Sequence, residues 1–174
     1  MTLDEYAELD EKPGHIDDLI AGEVVYQPWP GVRSGVVSGN AGFALSKHRQ
    51  VHGGCETARC GLVLARDPDS VLSADVLYWP NPNAVAASAV YGWPTVPPLA
   101  AFVIGNEFES EQARERRVRL LAGFGIGLLW VVDPLARNVT EFRSGRVRTL
   151  EADATLDGGD ALPGFTCKVG DLFA

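Results

Sequence analysis

Apolar residues follow two different periods along the chain, and the two periods predict different elements. Apolar positions at helical spacing predict helices over 34–52 and 110–122, with Ser110 as the N-cap of the second helix. Short apolar runs bounded by turn residues predict strands at four places, namely 61–65, 75–79, 99–104 and 128–132. The last two runs are continuous, which is typical of strands buried on both faces.

Turn residues predict two hairpins around this core. Ala21-Gly22 separates two short apolar segments and predicts a tight hairpin, and Ser144-Gly145 predicts a terminal hairpin over 138–151. At the N-terminus, Thr2 and Glu5 form a capping-box pattern for a short helix. Residues 83–98 have little periodicity and predict a loop or a short helical turn. A strand–helix–strand core entered by antiparallel hairpins predicts an α/β or α+β mixed sheet with helices packed on it.

Length and composition fit one folded domain. The chain has 174 residues, with 46% hydrophobic and 22% charged residues, so we expect a single domain over 1–174. No apolar run approaches the roughly 20 residues that a membrane-spanning helix needs. The acidic N-terminus resembles neither a signal nor a transit peptide, so we expect a cytoplasmic protein.

The charge balance limits the classes of partner. The chain carries 23 acidic and 15 basic residues, for a formal net charge of −8. Since sequence-independent DNA binding depends on neutralising phosphates with Lys and Arg, we expect any DNA binding to be weak and confined to a local groove. The arginines cluster in the second predicted helix, at Arg114, Arg116, Arg117 and Arg119.

An ordered set of short motifs resembles one known family. The segments are MTLDEY at the start, DLIAGE at 18–23, SVLSAD at 70–75, WVVDPLAR at 130–137, LPGF at 162–165 and DLF at 171–173. Together they resemble the Uma-type putative restriction endonuclease family, which has the PD-(D/E)XK nuclease fold. No single motif is specific, but the order covers nearly the whole chain. The resemblance implies a restriction-endonuclease-like domain that hydrolyses DNA phosphodiesters.

The resemblance also implies a site, position by position. In the family, carboxylates at strand ends hold Mg²⁺, which activates water and stabilises the leaving oxyanion. Asp18 and Asp75 stand at two of the acidic positions, and Arg117 stands at the position of the family's lysine. An ungapped alignment places the strand glutamate at Val103, whose side chain is then expected to face the same pocket as Asp75. Glu107 and Glu109 lie just beyond the strand, where either could substitute from a displaced position; we assign Glu107 to a metal set with Asp18 and Asp75.

Each of these residues also has an interpretation without chemistry. Asp18 beside another acid is typical of a turn or cap, and Asp75 at the start of an apolar run is typical of a strand-end cap. The arginines are typical of a solvated helix face paired with acids at helical spacing. The functional alternative is that these arginines line a groove that faces the phosphates of DNA.

A second cluster could bind a different metal. Four side chains that are competent to bind zinc occur within 13 residues, namely His48, His52, Cys55 and Cys60. The C-x₄-C spacing is looser than a common zinc knuckle, so we favour a helix end followed by a strand with small cysteines. With Cys167, the chain has three cysteines, an odd number that predicts free thiols.

Two functions from different classes follow. One is a Mg²⁺-dependent endonuclease that uses Asp18, Asp75 and Glu107, with Arg117 nearby. The other is a nuclease-fold binding or regulatory module with a degenerate, inactive centre, acting as a homodimer. The aromatic residues in or near Pro-rich connections suggest the dimer, because aromatic residues are enriched at interfaces; they are Trp29, Trp79, Tyr91 and Trp93.

Overall fold

A computed structural model describes the whole chain, residues 1–174, as a mixed α+β fold. The helices are α1 (Leu3–Ala7), α2 (Val32–His52), α3 (Pro82–Ser88), α4 (Glu111–Gly123) and a C-terminal 3-10 turn (Val169–Phe173). The strands are β1 (His15–Ile20), β2 (Glu23–Pro28), β3 (Cys55–Ala65), β4 (Ser70–Trp79), β5 (Ala100–Ile104), β6 (Leu128–Asp133), β7 (Asn138–Arg143), β8 (Arg146–Leu150), β9 (Thr155–Asp157) and β10 (Thr166–Lys168). The predicted fold class is confirmed.

Eight strands form one sheet, and β9 and β10 form a separate ribbon. The sheet order is β2-β1-β4-β5-β6-β7-β8, with β3 paired to β4. Every pair is antiparallel except β5 with β6, which are parallel and are connected through α4. This connection is the strand–helix–strand unit that the sequence predicts.

The predicted turns have the backbone that their residues favour. Ala21 and Gly22 have φ values of 53° and 78° between the paired strands β1 and β2, as a two-residue hairpin turn requires. Ser144 and Gly145 connect β7 and β8 in the same way. Thr2 and Glu5 form the predicted capping box at α1. Local sequence therefore determines these three segments.

The helices cover opposite faces of the sheet. On one face, Val37, Ala41 and Leu45 of α2 pack in a cluster with Phe102 and Trp130. On the other face, α4 contributes to a second cluster; its members include Leu77, Ala101, Val103, Val118 and Leu121. Because β5 contributes to both clusters, it is buried on both faces, as its continuous apolar sequence predicts.

The sheet forks along one edge of β4, and the fork positions the acidic residues. The opposite edge of β4 is paired with β3 along almost its full length. On the forked edge, β1 pairs where Leu19 meets Val71, and β5 pairs where Phe102 meets Val76. Residues 72–75 lie between these two pairings. The backbone groups at the fork therefore need partners other than a neighbouring strand.

Several element boundaries differ from the sequence prediction. β3 begins at Cys55 instead of residue 61, and β4 begins at Ser70 instead of residue 75. The segment added to β3 is largely polar, and it is its pairing with β4 that makes it a strand. The region 83–98 contains α3, which begins after the N-cap Asn81.

Two of the four aromatic residues expected at a surface lie in or against the core instead. Trp79 is buried, and its indole Nε1 donates to the Val96 carbonyl. Trp93 packs on Tyr6, with ring centroids 5.2 Å apart. Trp29 and Tyr91 are exposed, as expected. No helix of the chain combines the length and the apolar character needed to cross a membrane.

Candidate functional site

Two carboxylates bind the backbone groups that the fork leaves without strand partners. Asp18 Oδ1 accepts a hydrogen bond from the Ser73 N–H at 2.8 Å. Asp75 Oδ2 accepts from the Ile104 N–H at 2.7 Å. Both aspartates are buried. Each aspartate therefore has a structural role at the point where the strands diverge, although Asp75 lies within β4 and not at its start.

Asp18 is held in an environment that disfavours its charge. Its second oxygen, Oδ2, accepts a hydrogen bond from Gln27 Nε2 at 2.6 Å. Burial raises the pKa of Asp18 to about 6, although the positive charge of Arg117 and the bond from Ser73 oppose the shift. The pKa of the Asp18 carboxyl group therefore lies about two units above its usual value of 3.8.

Asp75 is paired with an arginine that the sequence analysis did not identify. Arg59 Nη2 lies 3.1 Å from Asp75 Oδ1. Because Ile104 binds the other oxygen, both oxygens of Asp75 have a partner within the protein. Arg59 has a φ of 36°, in the left-handed region, which is uncommon for a residue other than glycine.

A second ion pair is almost completely buried beside the first. Arg117 Nη2 lies 3.1 Å from Glu109 Oε2, and the two side chains are only 4% and 1% exposed. Burial raises the pKa of Glu109, and the charge of Asp75 adds to the rise, while Arg117 opposes it. The charges on the two sides of the fork are therefore coupled: Arg117 acts on both Asp18 and Glu109, and Asp75 acts on Glu109.

The arginines open onto a small polar cavity of about 170 Å³. Arg59, Asp75 and Arg117 line it, together with Gln27, Ser34 and Asn106. Three buried polar atoms of these residues have no hydrogen-bond partner within the protein: Gln27 Oε1, Arg59 Nη1 and Arg117 Nε. Because Arg59 and Arg117 are cationic and Asp75 is acidic, charges of both signs line the cavity.

The structure brings together some of the predicted site residues and separates others. Asp75 and Arg117 line the cavity, and Asp18 adjoins it through Gln27. Glu107 does not line it; its carboxylate accepts a short hydrogen bond from Ser34 Oγ at the start of α2. No three Asp, Glu, His or Cys side chains lie close enough together to hold a metal ion. The predicted metal set of Asp18, Asp75 and Glu107 therefore does not assemble.

The expectation for Val103 is wrong. Continued by one step, the β4–β5 register places the Val103 backbone beside Asp75. The Val103 side chain, however, is completely buried in the cluster beneath α4 and does not line the cavity. Both faces of β5 are apolar, so its sequence does not reveal which positions face the fork.

The four zinc-competent residues also do not form a metal site. His48 and His52 stack with ring centroids 4.3 Å apart and line a cavity of about 880 Å³ between α2 and the C-terminal segment. Cys55 and Cys60 lie on β3 and do not line that cavity. All three cysteines are free thiols.

The residues at the fork do not fit Mg²⁺. This ion requires a regular shell of oxygen ligands and retains several waters. Here Asp75 is already paired with Arg59, Asp18 is bound by Gln27 and Ser73, and Val103 supplies no oxygen. Two guanidinium groups beside the same cavity would also repel a divalent cation.

We expect the protonation of Asp18 to be visible in the stability of the protein. Because its folded-state pKa is raised from the usual 3.8 to about 6, the folded state retains a proton that the unfolded chain loses, so stability falls as pH rises through this window. Relative to Asp18→Asn, the free energy of unfolding of the wild type should fall by about 2 kcal/mol between pH 4 and pH 6. Urea denaturation across this range measures the difference. A difference independent of pH would contradict the assignment.

Comparisons with known proteins place the chain among nuclease-type folds. The family model described as Uma2, putative restriction endonuclease, matches residues 3–170. A crystal structure of a putative nuclease belonging to DUF820 from Anabaena variabilis ATCC 29413 superposes with a TM-score of 0.82 at 15% sequence identity. The match covers 99% of this chain and 97% of that one. No curated protein matches the chain.

Proposed function

We propose that this chain, which belongs to the Uma2 family of putative restriction endonucleases, is a nuclease-fold binding or regulatory module. In this proposal it does not cleave DNA through a divalent metal. The observation that carries this proposal is that both oxygens of Asp75 have partners within the protein. One oxygen of its carboxylate is paired with Arg59, and the other accepts the Ile104 N–H. A carboxylate bound in this way stabilises the strands of the sheet and the ion pair with Arg59.

The arginine at the family's lysine position supports the same function. A catalytic lysine or arginine must be available to the phosphoryl oxygens that gain charge in the transition state. Arg117 is instead paired with Glu109 in an almost completely buried contact. Its charge is offset within the protein, and exposing it to a substrate would leave Glu109 buried without a counterion.

The alternative is a metal-dependent endonuclease that uses Asp18, Asp75 and Glu107, with Mg²⁺ as cofactor. One observation favours this alternative: Asp75 and Arg117 line the same cavity, and Asp18 adjoins that cavity. Glu107, which is bound to Ser34, is not itself one of the residues that line the cavity, and this counts against the alternative. We therefore expect the alternative to fail a direct test.

The test is the cleavage of supercoiled plasmid DNA by the full chain in Mg²⁺ and, separately, in Mn²⁺. We expect no nicking above that of the matched Asp75→Ala variant, which removes the central carboxylate and controls for contaminating nucleases. Cleavage by the wild type that is lost in Asp75→Ala would contradict the proposal and establish the endonuclease.

The proposed module acts as a homodimer. Exposed large apolar side chains, among them Trp29, Tyr91 and Phe43, supply residue types that are common at interfaces. Any contact with DNA is proposed to be weak, because the net charge is −8. Light scattering at high concentration tests the dimer, and a mass near the monomer value of 18.7 kDa would contradict it.

A further inference from the structure

We infer that the guanidinium group of Arg59 neutralises Asp75 at the fork in place of a divalent metal ion. Removing the Arg59 side chain then creates a site for Mn²⁺. This inference rests on the proposed function, since it assumes that the intact centre holds no metal. Asp75 is the carboxylate that the family resemblance makes a metal ligand, and its partner here is a guanidinium group at 3.1 Å.

Local distortions of both strands accompany the ion pair. Regular pairing of β3 with β4 holds at Ala58 with Val76 and at Cys60 with Ala74, but not at Arg59 and Asp75 between them. Arg59 has a positive φ. On β4, Ala74 packs on the α4 side, whereas Val76 packs on the α2 side. Unusual backbone of this kind persists only when surrounding contacts determine it, and the Arg59–Asp75 contact is one of them.

The charges of the fork favour a cation at this position. Arg59 is the ion-pair partner of Asp75 and also acts on Asp18, whereas Arg117 is paired with Glu109. Removing Arg59 would leave the buried carboxylate of Asp75 without its ion-pair partner. A buried carboxylate without a counterion is costly, so the variant gains free energy by binding a cation or by taking up a proton.

Of the two arginines at the fork, Arg59 is the one that can be substituted with less disturbance of the core. Its side chain is 30% exposed, whereas that of Arg117 is 4% exposed. Arg59 lines the cavity of about 170 Å³, so its truncation would enlarge that space beside Asp75. Oxygen ligands from Asp75 and from water suit Mn²⁺, which prefers carboxylate and water donors.

The experiment measures thermal unfolding and Mn²⁺ binding by calorimetry on the full chain and its variants. We expect Mn²⁺ to raise the Tm of Arg59→Ala in proportion to the logarithm of its concentration, because only the folded state has the site. The Tm of the wild type and of Arg59→Lys, which retains the positive charge, should not respond. Arg49→Ala is the matched control, because it breaks a different arginine–carboxylate pair, with Glu56, away from the fork.

Two further variants locate the site and allow for misfolding. Adding Asp75→Asn to Arg59→Ala should abolish the Mn²⁺ response. If Arg59→Ala folds only in Mn²⁺, the inference is supported; if it does not fold in either condition, Arg59→Gln takes its place in the comparison. A folded Arg59 variant that binds Mn²⁺ no better than the wild type overturns the inference alone. Mn²⁺ bound by the wild type in a manner lost on Asp75→Asn overturns the proposed function, and with it the inference that rests on it.

Discussion

Replacing Val103 with glutamate is expected to destabilise the protein by about 4 kcal/mol, without creating affinity for a divalent ion. Val103 is completely buried among apolar side chains beneath α4, so a carboxylate at this position would have no counterion in the cluster. Urea denaturation measures the loss of stability, and calorimetry with Mn²⁺ measures the absence of binding.

Val103→Ala is the matched control for Val103→Glu. It removes apolar contacts at the same position without adding a charge, and it should cost about 2 kcal/mol, since a small cavity replaces the lost methyl groups. A Val103→Glu protein that is as stable as the wild type and binds Mn²⁺ would show that the new side chain reaches the cavity. That outcome would contradict the placement of Val103 in the core.

Removing Arg117 should have an effect of similar size through electrostatics instead of packing. Arg117→Ala leaves Glu109 buried without its ion-pair partner and removes a positive charge that favours the ionised form of Asp18. Loss of one member of a buried ion pair typically costs about 3–5 kcal/mol. Urea denaturation at neutral pH measures this loss.

A double-mutant cycle separates the ion pair from the rest of the site. Arg117→Met with Glu109→Gln removes both charges while keeping side chains of similar length, so the double variant should be more stable than the sum of the two single changes predicts. Additive effects would mean that Arg117 and Glu109 do not interact as the structure indicates. A loss below about 1 kcal/mol for Arg117→Ala would place this arginine in solvent, as in an exposed ion pair.

The sequence predicts the fold well where local signals determine structure. The turn at Ala21-Gly22 and the N-cap Ser110, whose hydroxyl accepts from the Ala113 N–H, are examples. Asp75 is also identifiable, because an acid beside buried apolar residues needs a partner. These features depend on residues close together in the chain.

The partners of Asp75 could not be predicted, because they come from distant segments. Arg59 lies in the polar run CETARC, which has no strand periodicity and becomes a strand only through its pairing with β4. Glu107 and Glu109 are equivalent in the sequence, and only the fold places Glu109 on Arg117 and Glu107 on Ser34. The charge network at the fork is therefore a property of tertiary structure.

A crystal of the wild-type protein soaked in Mn²⁺ tests the central claim most directly, through the anomalous scattering of the ion. The account predicts Arg59 within ion-pair distance of Asp75 and no anomalous peak in the cavity beside them. A peak coordinated by Asp75 together with Asp18 or Glu109, with Arg59 displaced toward solvent, would contradict it.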